Sequence, residues 1–450
     1  MDSSDRRGPG TGLLTVLLGA VSAGPLLLYG LSASSDSLIV DLGITEAQFG
    51  LLATACFTCA AIGNATLGRM ADRHSDTSLM TAIFALAAAA LLLVGIPAGF
   101  GVLVLAAAFS GVSQSFTNGV TNRILLDRVP DSKRIGWVGI KQSGVQVSQL
   151  VASVVFPLLA GIAGWRGASL VLALIPLVLM VMSWHALRVT PMLPGAAEPP
   201  VDDEAAGSDA ETVGSDEAVA AGSDEAVDTA ETTDDPTEAT VASSATDVVA
   251  EAARTRSPRY PMMVWALGLF GLLNGIAVQA TNVYMPLFSV RELGFPLVLG
   301  GATAALAGAV GVAARVGWAR QMARGASGPH VLLLLALIAL VGAGMFSVAG
   351  LTGWAWPLWL AAALHGASAL GVSVVLMSAL MRSIPSASMA SASGMVTAGM
   401  FAGFAAGPLI MGLIVSSSGG FLLGWAVVGL IYLLCAALAV VLMRAAGKTR

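Results

Sequence analysis

Gly214-Ser215-Asp216-Glu217-Ala218-Val219 and its near copy Gly222-Ser223-Asp224-Glu225-Ala226-Val227 lie in the passage on which the reading of this chain turns. From Val189 to Ala253 there are seventeen Asp or Glu and no Lys or Arg, while the sequence on both sides is almost wholly apolar. Low complexity with one dominant charge sign cannot bury enough apolar surface to offset the entropy of ordering, so this segment reads as a disordered spacer. What it separates sets the fold.

With 56% hydrophobic and 11% charged residues over 450 positions, the chain is too apolar for a soluble globular protein. A membrane helix needs about 20 mostly apolar residues. Twelve stretches qualify: 12–38, 45–67, 78–97, 99–122, 135–162, 167–187, 261–289, 296–317, 329–350, 355–381, 387–416 and 421–443. Long continuous runs of Ala, Gly, Leu and Val exclude the short alternating segments of a membrane β-barrel. The expected fold is therefore an all-α polytopic membrane protein, with twelve transmembrane helices in two pseudo-symmetric six-helix bundles. The expected domains are a tail at 1–11, bundles at 12–188 and 259–444, an acidic linker at 189–258 and a tail at 445–450.

The net charge of −5 hides two opposite parts. Outside residues 191–258 the chain has 20 bases against 10 acids. Those bases are scattered at span ends, which suits membrane topology and not nucleic-acid binding. With the amino terminus in the cytoplasm, Arg6, Arg7, Arg69, Arg73, Arg128, Lys133, Arg134, Arg188, Arg259, Arg320, Arg324, Arg382 and Arg444 fall inside, and Arg166 and Arg291 fall outside. That is the positive-inside bias. It predicts a multi-pass protein of the inner (plasma) membrane with both termini and the linker cytoplasmic.

The halves also repeat. Pro130, Gly139, Gly144 and Ser148 share the offsets of Pro385, Gly394, Gly399 and Gly403, each set leading into the fifth span of its half. Gly68-Arg69-Met70-Ala71-Asp72-Arg73 aligns with Ala319-Arg320-Gln321-Met322-Ala323-Arg324, both arginines coinciding. Internal symmetry in a polytopic chain points to a transporter with its site where the repeats meet.

At Gly68, Ala71, Asp72 and Arg73 the chain resembles the major facilitator superfamily, whose loop signature after the second span is G-x-x-A-D-R. The resemblance implies that Gly68 lets two helices approach closely. It also implies that Asp72 faces a helix start and, with Arg73, holds the cytoplasmic gate, with Arg320 and Arg324 as counterparts. The usual basic continuation is replaced by Ser75, Asp76 and Thr77. Gly403-Phe404-Ala405-Ala406-Gly407-Pro408 resembles the G-x-x-x-G-P signature of drug antiporters, displaced here to the eleventh span and without their fourth-span arginine. Gly139-Ile140-Lys141-Gln142-Ser143-Gly144 is similar to the same segment in cyanate-permease-like and organic-anion members.

No enzyme constellation is present. His74, His185, His330 and His365 are scattered, Cys56-Phe57-Thr58-Cys59 has no second ligand cluster, and no phosphate loop occurs. No cofactor or metal is implied. Polar residues inside apolar spans are costly enough to mark a transport path. Tyr29 and Asp36 share a face of span one with Ser22, Asp36 being either a protonatable vestibule group or a solvated loop-end carboxylate. Gln114, Asn118 and Asn122 form a stripe on span four, either lining a cavity or bonding neighbouring helices. Lys141, Gln142 and Gln146 open span five; Lys141 either attracts an anionic substrate, counters a buried carboxylate or snorkels to the interface. Span seven offers Asn274, Gln279 and Asn282. His365 in span ten either carries a coupled proton or is a structural hydrogen-bonder. Arg315, near the inner end of span eight, reads as an interface or gate residue.

These readings predict a monomeric secondary active transporter in the lipid bilayer, moving a small organic solute by alternating access, with protons as the coupling ion. An organic anion is the first expectation. Efflux of neutral or amphipathic compounds, and a membrane sensor or scaffold that has lost transport, are the alternatives.

Overall fold

The computed structural model describes residues 10–66, 73–193, 262–382 and 389–447. Most of the two tails, nearly all of the acidic linker, and Gly68 and Asp72 of the loop signature lie outside the described residues.

Every long element among the described residues is helical. The first half contains α1 (Thr11–Ala33), α2 (Ser35–Leu42), α3 (Glu46–Thr66), α4 (Asp76–Gly95), α5 (Gly99–Ser115), α6 (Thr117–Arg128), α7 (Asp131–Gln142), α8 (Gly144–Leu172) and α9 (Leu174–Val189). The second contains α10 (Met262–Arg291), α11 (Leu297–Ala323), α12 (Gly328–Thr352), α13 (Ala355–Ala367), α14 (Val372–Met381), α15 (Met389–Val415) and α16 (Gly420–Gly447). Eleven described stretches are long and apolar enough to cross a membrane, and one of them, Ser132–Val189, runs for 58 residues. At 1.5 Å per residue that stretch would extend roughly 87 Å, nearly three times the hydrocarbon thickness of about 30 Å. It turns at Gly164, whose φ of 70° is open to glycine at little cost. The stretch is thus two crossings, and the spans among the described residues number twelve.

Several spans are broken midway. Span one breaks at Ser34 (φ −118°, ψ 22°), span four at Phe116, span five at Ser143, and span ten at a 3-10 turn over Ala369–Gly371. Backbone groups freed inside a membrane need partners from protein or a water-lined cavity, so the breaks already indicate where a polar interior lies.

The two halves are built alike. In the first, α8 packs on α1, and a Cβ at Gly144 would press into the Leu18 carbonyl oxygen at 2.7 Å. In the second, α15 packs on α10, and a Cβ at Gly399 would press into the Gly268 carbonyl at 2.6 Å. Gly144 and Gly399 occupy the same place in the sequence repeat. Gly403 and Gly407 continue the second seam, each without room for a Cβ against the backbone of Leu272 or Ile276. The G-x-x-x-G-P stretch is thus a close helix-packing stripe of small residues. The halves meet along two seams, α3 against α15 and α8 against α11.

Outward-facing positions are apolar. Leu158, Ile162, Leu170, Leu174, Leu337 and Leu434 are all exposed, an arrangement that suits lipid. Polar side chains gather inside instead.

Candidate functional site

The ends of the molecule can be told apart by the chain. At the linker end, α9 finishes at Val189 and α10 begins at Met262; the far end carries the α2–α3 and α10–α11 turns. Between the halves lies a cavity of about 240 Å³. Towards the far end it is closed by bonds between the halves. Ser32 Oγ donates to the carbonyls of Asn282 (3.1 Å) and Val283 (2.8 Å). Beyond it, Arg291 of α10 donates to Asp36 Oδ1 at 2.8 Å and also pairs with Glu46. Ser416 Oγ donates to Glu46 Oε2 at 3.0 Å, and Tyr284 Oη donates to the Glu46 carbonyl at 2.5 Å. Towards the linker end, Asn118 on the cavity wall and Asn122 one turn on are exposed.

Arg315 carries the only charge among the described lining residues. Two of the helix breaks hold it. Its Nη1 donates to the carbonyl of Gln142, the last residue of α7, at 3.0 Å, and its Nε donates to the carbonyl of Leu370 in the 3-10 turn at 3.1 Å. One break belongs to each half, so Arg315 ties the two together. Among the described residues no carboxylate pairs with it. A guanidinium has five N–H donors, so several remain for a ligand.

The polar wall around it is rich in amides. Tyr29, Gln114, Asn118, Gln142, Gln146, Asn274, Gln279 and Asn282 all line the cavity. Some amides spend their groups on the protein. Gln114 Nε2 donates to the Ser110 carbonyl and Cys56 Sγ, both at 3.3 Å, and Gln142 Nε2 donates to Asn118 Oδ1 at 3.3 Å. Asn282 Oδ1 accepts from Gln149 Nε2 at 3.3 Å across the halves and lies 3.0 Å from His365 Nε2. The remaining wall is mostly apolar and aromatic, with Phe57 from α3 and Phe401 and Phe404 from α15, and with the hydroxyl residues Thr117, Ser373 and Thr397 among them.

The Major Facilitator Superfamily profile matches residues 11–397. The chain belongs to that superfamily. Among curated proteins, the sialic acid transporter NanX of Escherichia coli (strain K12) is 26% identical over 141 residues, 31% of this chain and 35% of that transporter. The aligned part thus spans about a third of the relative's length. Among solved structures, a bacterial homolog of the human lysosomal transporter Spinster, in an inward-facing and unoccupied conformation, superimposes with a TM-score of 0.70. It shares 15% identity, with 98% of each chain covered. The nucleoside transporter NupG superimposes with a TM-score of 0.65 at 14% identity, covering 96% of this chain and 99% of that one. At such identities the likeness is one of fold.

Within this superfamily member, four residues singled out from sequence sit away from the cavity wall. Asp36 is bound in the far-end ion cluster. Lys141 is fully buried, and its Nζ donates to Thr121 Oγ1 at 2.9 Å and Asn122 Oδ1 at 2.6 Å, so it does not snorkel. Asn122 serves that lysine, and His365 stands one layer behind Asn282. Of the loop-signature residues, Arg73 lies in an exposed turn, and Arg320 and Arg324 are exposed at the end of α11.

The clamp at the linker end went unread in the sequence. Asp76, buried at the start of α4, accepts from Arg123 at 2.8 Å and from Arg128 at 3.4 Å. Arg128 Nη1 also donates to the carbonyls of Leu187 and Thr190, at 2.9 and 2.5 Å, and Arg123 Nη2 to that of His74 at 3.0 Å. The signal was visible as the acid at position 76, where the superfamily's signature continues with bases.

Proposed function

We propose that the protein is a secondary active transporter of small organic anions that works by alternating access. The observation that carries this reading is Arg315, an unpaired cation in the wall of a central cavity with no acidic side chain among its described lining. Hydrogen bonds to charged groups contribute about 1.5–3 kcal/mol, so one such cation selects for charge. The name of the curated relative, a sialic acid transporter, is in keeping with an organic solute.

The access reading rests on the bonds that join the halves at the far end and on the exposed asparagines at the linker end. With the termini and linker cytoplasmic, as the distribution of bases favours, this is the inward-facing state, the protein being a monomer in the inner membrane built from bundles at 12–188 and 259–444. Opening the far end frees Asp36 and Glu46 from Arg291, and these carboxylates are the groups we assign to proton coupling. His365 suits that role less, since it lies in the core with an amide as its partner.

The test is flux of a labelled carboxylate into proteoliposomes under an imposed pH gradient. Arg315→Gln is expected to weaken apparent affinity by about 10- to 100-fold, and Arg315→Lys to retain part of it. Unaltered kinetics in folded Arg315→Gln protein would remove the anion reading. Tight binding without flux would point to the sensor alternative.

A further inference from the structure

Three buried polar atoms in the cavity wall lack partners. Gln146 and Gln279 each leave Oε1 unbonded, and Asn282 leaves Nδ2 unbonded, although these side chains belong to residues only 1%, 4% and 1% exposed. Unmade hydrogen bonds at buried positions are costly and uncommon. A wall with two free acceptors and one free donor is built to receive a molecule that brings an O–H group and an acceptor of its own. All three residues face the cavity that Arg315 enters.

The other seam of the same cavity has a different chemistry. Phe57 of α3 lies against Phe404 of α15 with ring centroids 5.4 Å apart, and Phe401 lies 5.6 Å from Phe404. Phe401 and Phe404 are only half-buried, so part of their surface is available to a ligand. Aromatic faces of this kind prefer another ring, offset-stacked or edge-on. The cavity is thus divided, with cation and amides from α8, α10 and α11 and aromatic surface from α3 and α15.

We propose that the cargo is a hydroxylated aromatic monocarboxylate. Its carboxylate binds the Arg315 guanidinium, its ring lies on Phe401 and Phe404, and its hydroxyl donates to the free amide oxygens of Gln146 or Gln279. This rests on the organic-anion reading above and narrows it. A volume of about 240 Å³ falls below the roughly 300–1,000 Å³ of pockets for drug-sized ligands and suits a single ring. A polyhydroxylated aliphatic acid would press some of its hydroxyls onto phenyl rings, which offer no comparable partner. A simple fatty acid would leave the three amide atoms as they are.

The experiment is equilibrium binding by titration calorimetry on the purified full-length protein, with four probes: 4-hydroxybenzoate, benzoate, 4-hydroxybenzamide and glucuronate. 4-Hydroxybenzoate is expected to bind tightest, with benzoate weaker by about 3- to 10-fold for the lost hydrogen bond, and glucuronate weaker still. Gln279→Leu should shrink the difference between benzoate and 4-hydroxybenzoate. Phe401→Leu, which keeps an apolar side chain in place, should weaken both ring acids more than glucuronate. Glucuronate binding as tightly as 4-hydroxybenzoate overturns the proposal, as does equal binding of the two benzoates or no binding of any probe by folded protein. Equal binding of 4-hydroxybenzamide and 4-hydroxybenzoate instead overturns the anion reading on which the proposal rests, so the two failures are distinct.

Discussion

At the far end of the molecule a cluster of charged groups joins the two halves, beside the Arg166–Asp41 pair that stays within the first half, and among the described residues at the linker end the charged groups close within their own half. Arg291 of the second half reaches Asp36 and Glu46 of the first, and Ser416 and Tyr284 add further bonds to Glu46. Among the described residues, the ion pairs of the linker-end cluster, Asp76 with Arg123 and Arg128, lie within the first half. In the second half Arg382 donates to the carbonyls of Met322 and Ala326, again within its own half. Bonds of the first kind must break if the halves rock apart at that end. Bonds of the second kind travel with a rigid body. The same residue types therefore have two duties, a latch at one end and a brace at the other.

The brace should show the largest effect on stability. Asp76 is 3% exposed and Arg128 8% exposed, so Asp76→Ala leaves a buried cation without its carboxylate. Breaking one partner of a buried pair costs about 3–5 kcal/mol. A thermal-shift measurement on purified protein should show a large fall in melting temperature, and the fraction of molecules open at the far end should not move. A variant as stable as the parent would contradict the brace.

The latch should show the opposite pattern. Arg291, Asp36 and Glu46 have side chains 28%, 30% and 20% exposed, and partly solvated ion pairs contribute about 0.5–1 kcal/mol each. Arg291→Ala should therefore shift the balance towards far-end opening by about 5- to 30-fold, with little change in melting temperature. Spin labels at Val40→Cys and Leu351→Cys would report this, since both positions are 71% exposed and flank the far end in different halves. The distance distribution should gain a longer component in the Arg291→Ala background. An unchanged distribution would mean that the ion cluster is not a latch.

Much of the fold was legible because membrane crossing imposes a simple length and composition rule. The span edges drawn from sequence fall within a few residues of most helix ends. The polar stripe of span four was legible for the same reason, since an amide among alanines and leucines stands out. Arg315 reads in the sequence as an interface or gate residue near the inner end of span eight, and α11 runs past residue 317 to Ala323. Six more residues lengthen the helix by about 9 Å and set Arg315 well inside. Lys141 reads in the sequence as an anion contact, a partner for a buried carboxylate or a snorkelling residue, and in the structure its ammonium bonds Thr121 and Asn122. Span five breaks at Ser143, two residues beyond Lys141, and no local pattern in the sequence marks that break. The latch pairs residues 255 and 245 positions apart, a separation that no local pattern encodes.

Lys141 offers the smallest and sharpest test. It is a buried cation in the first half, yet unlike the arginines of the brace its partners among the described residues are neutral, Thr121 and Asn122. Desolvating an ammonium group is costly, and two neutral acceptors offset that only in part. Lys141→Met removes the charge at nearly constant length. It leaves Asn122, an exposed residue that water can reach, and Thr121, whose hydroxyl still donates to the Thr117 carbonyl at 2.7 Å. The change should therefore alter stability by less than about 1 kcal/mol and leave carboxylate flux as it was. Lys141→Arg should be worse, at about 1–3 kcal/mol, because it overfills a site with no free space. If Lys141→Met instead abolished flux while the protein stayed folded, the cation would have to act on cargo in a state where the first half is rearranged internally. The halves would then not move as rigid bodies, and the separation between latch and brace would fail at its linker end.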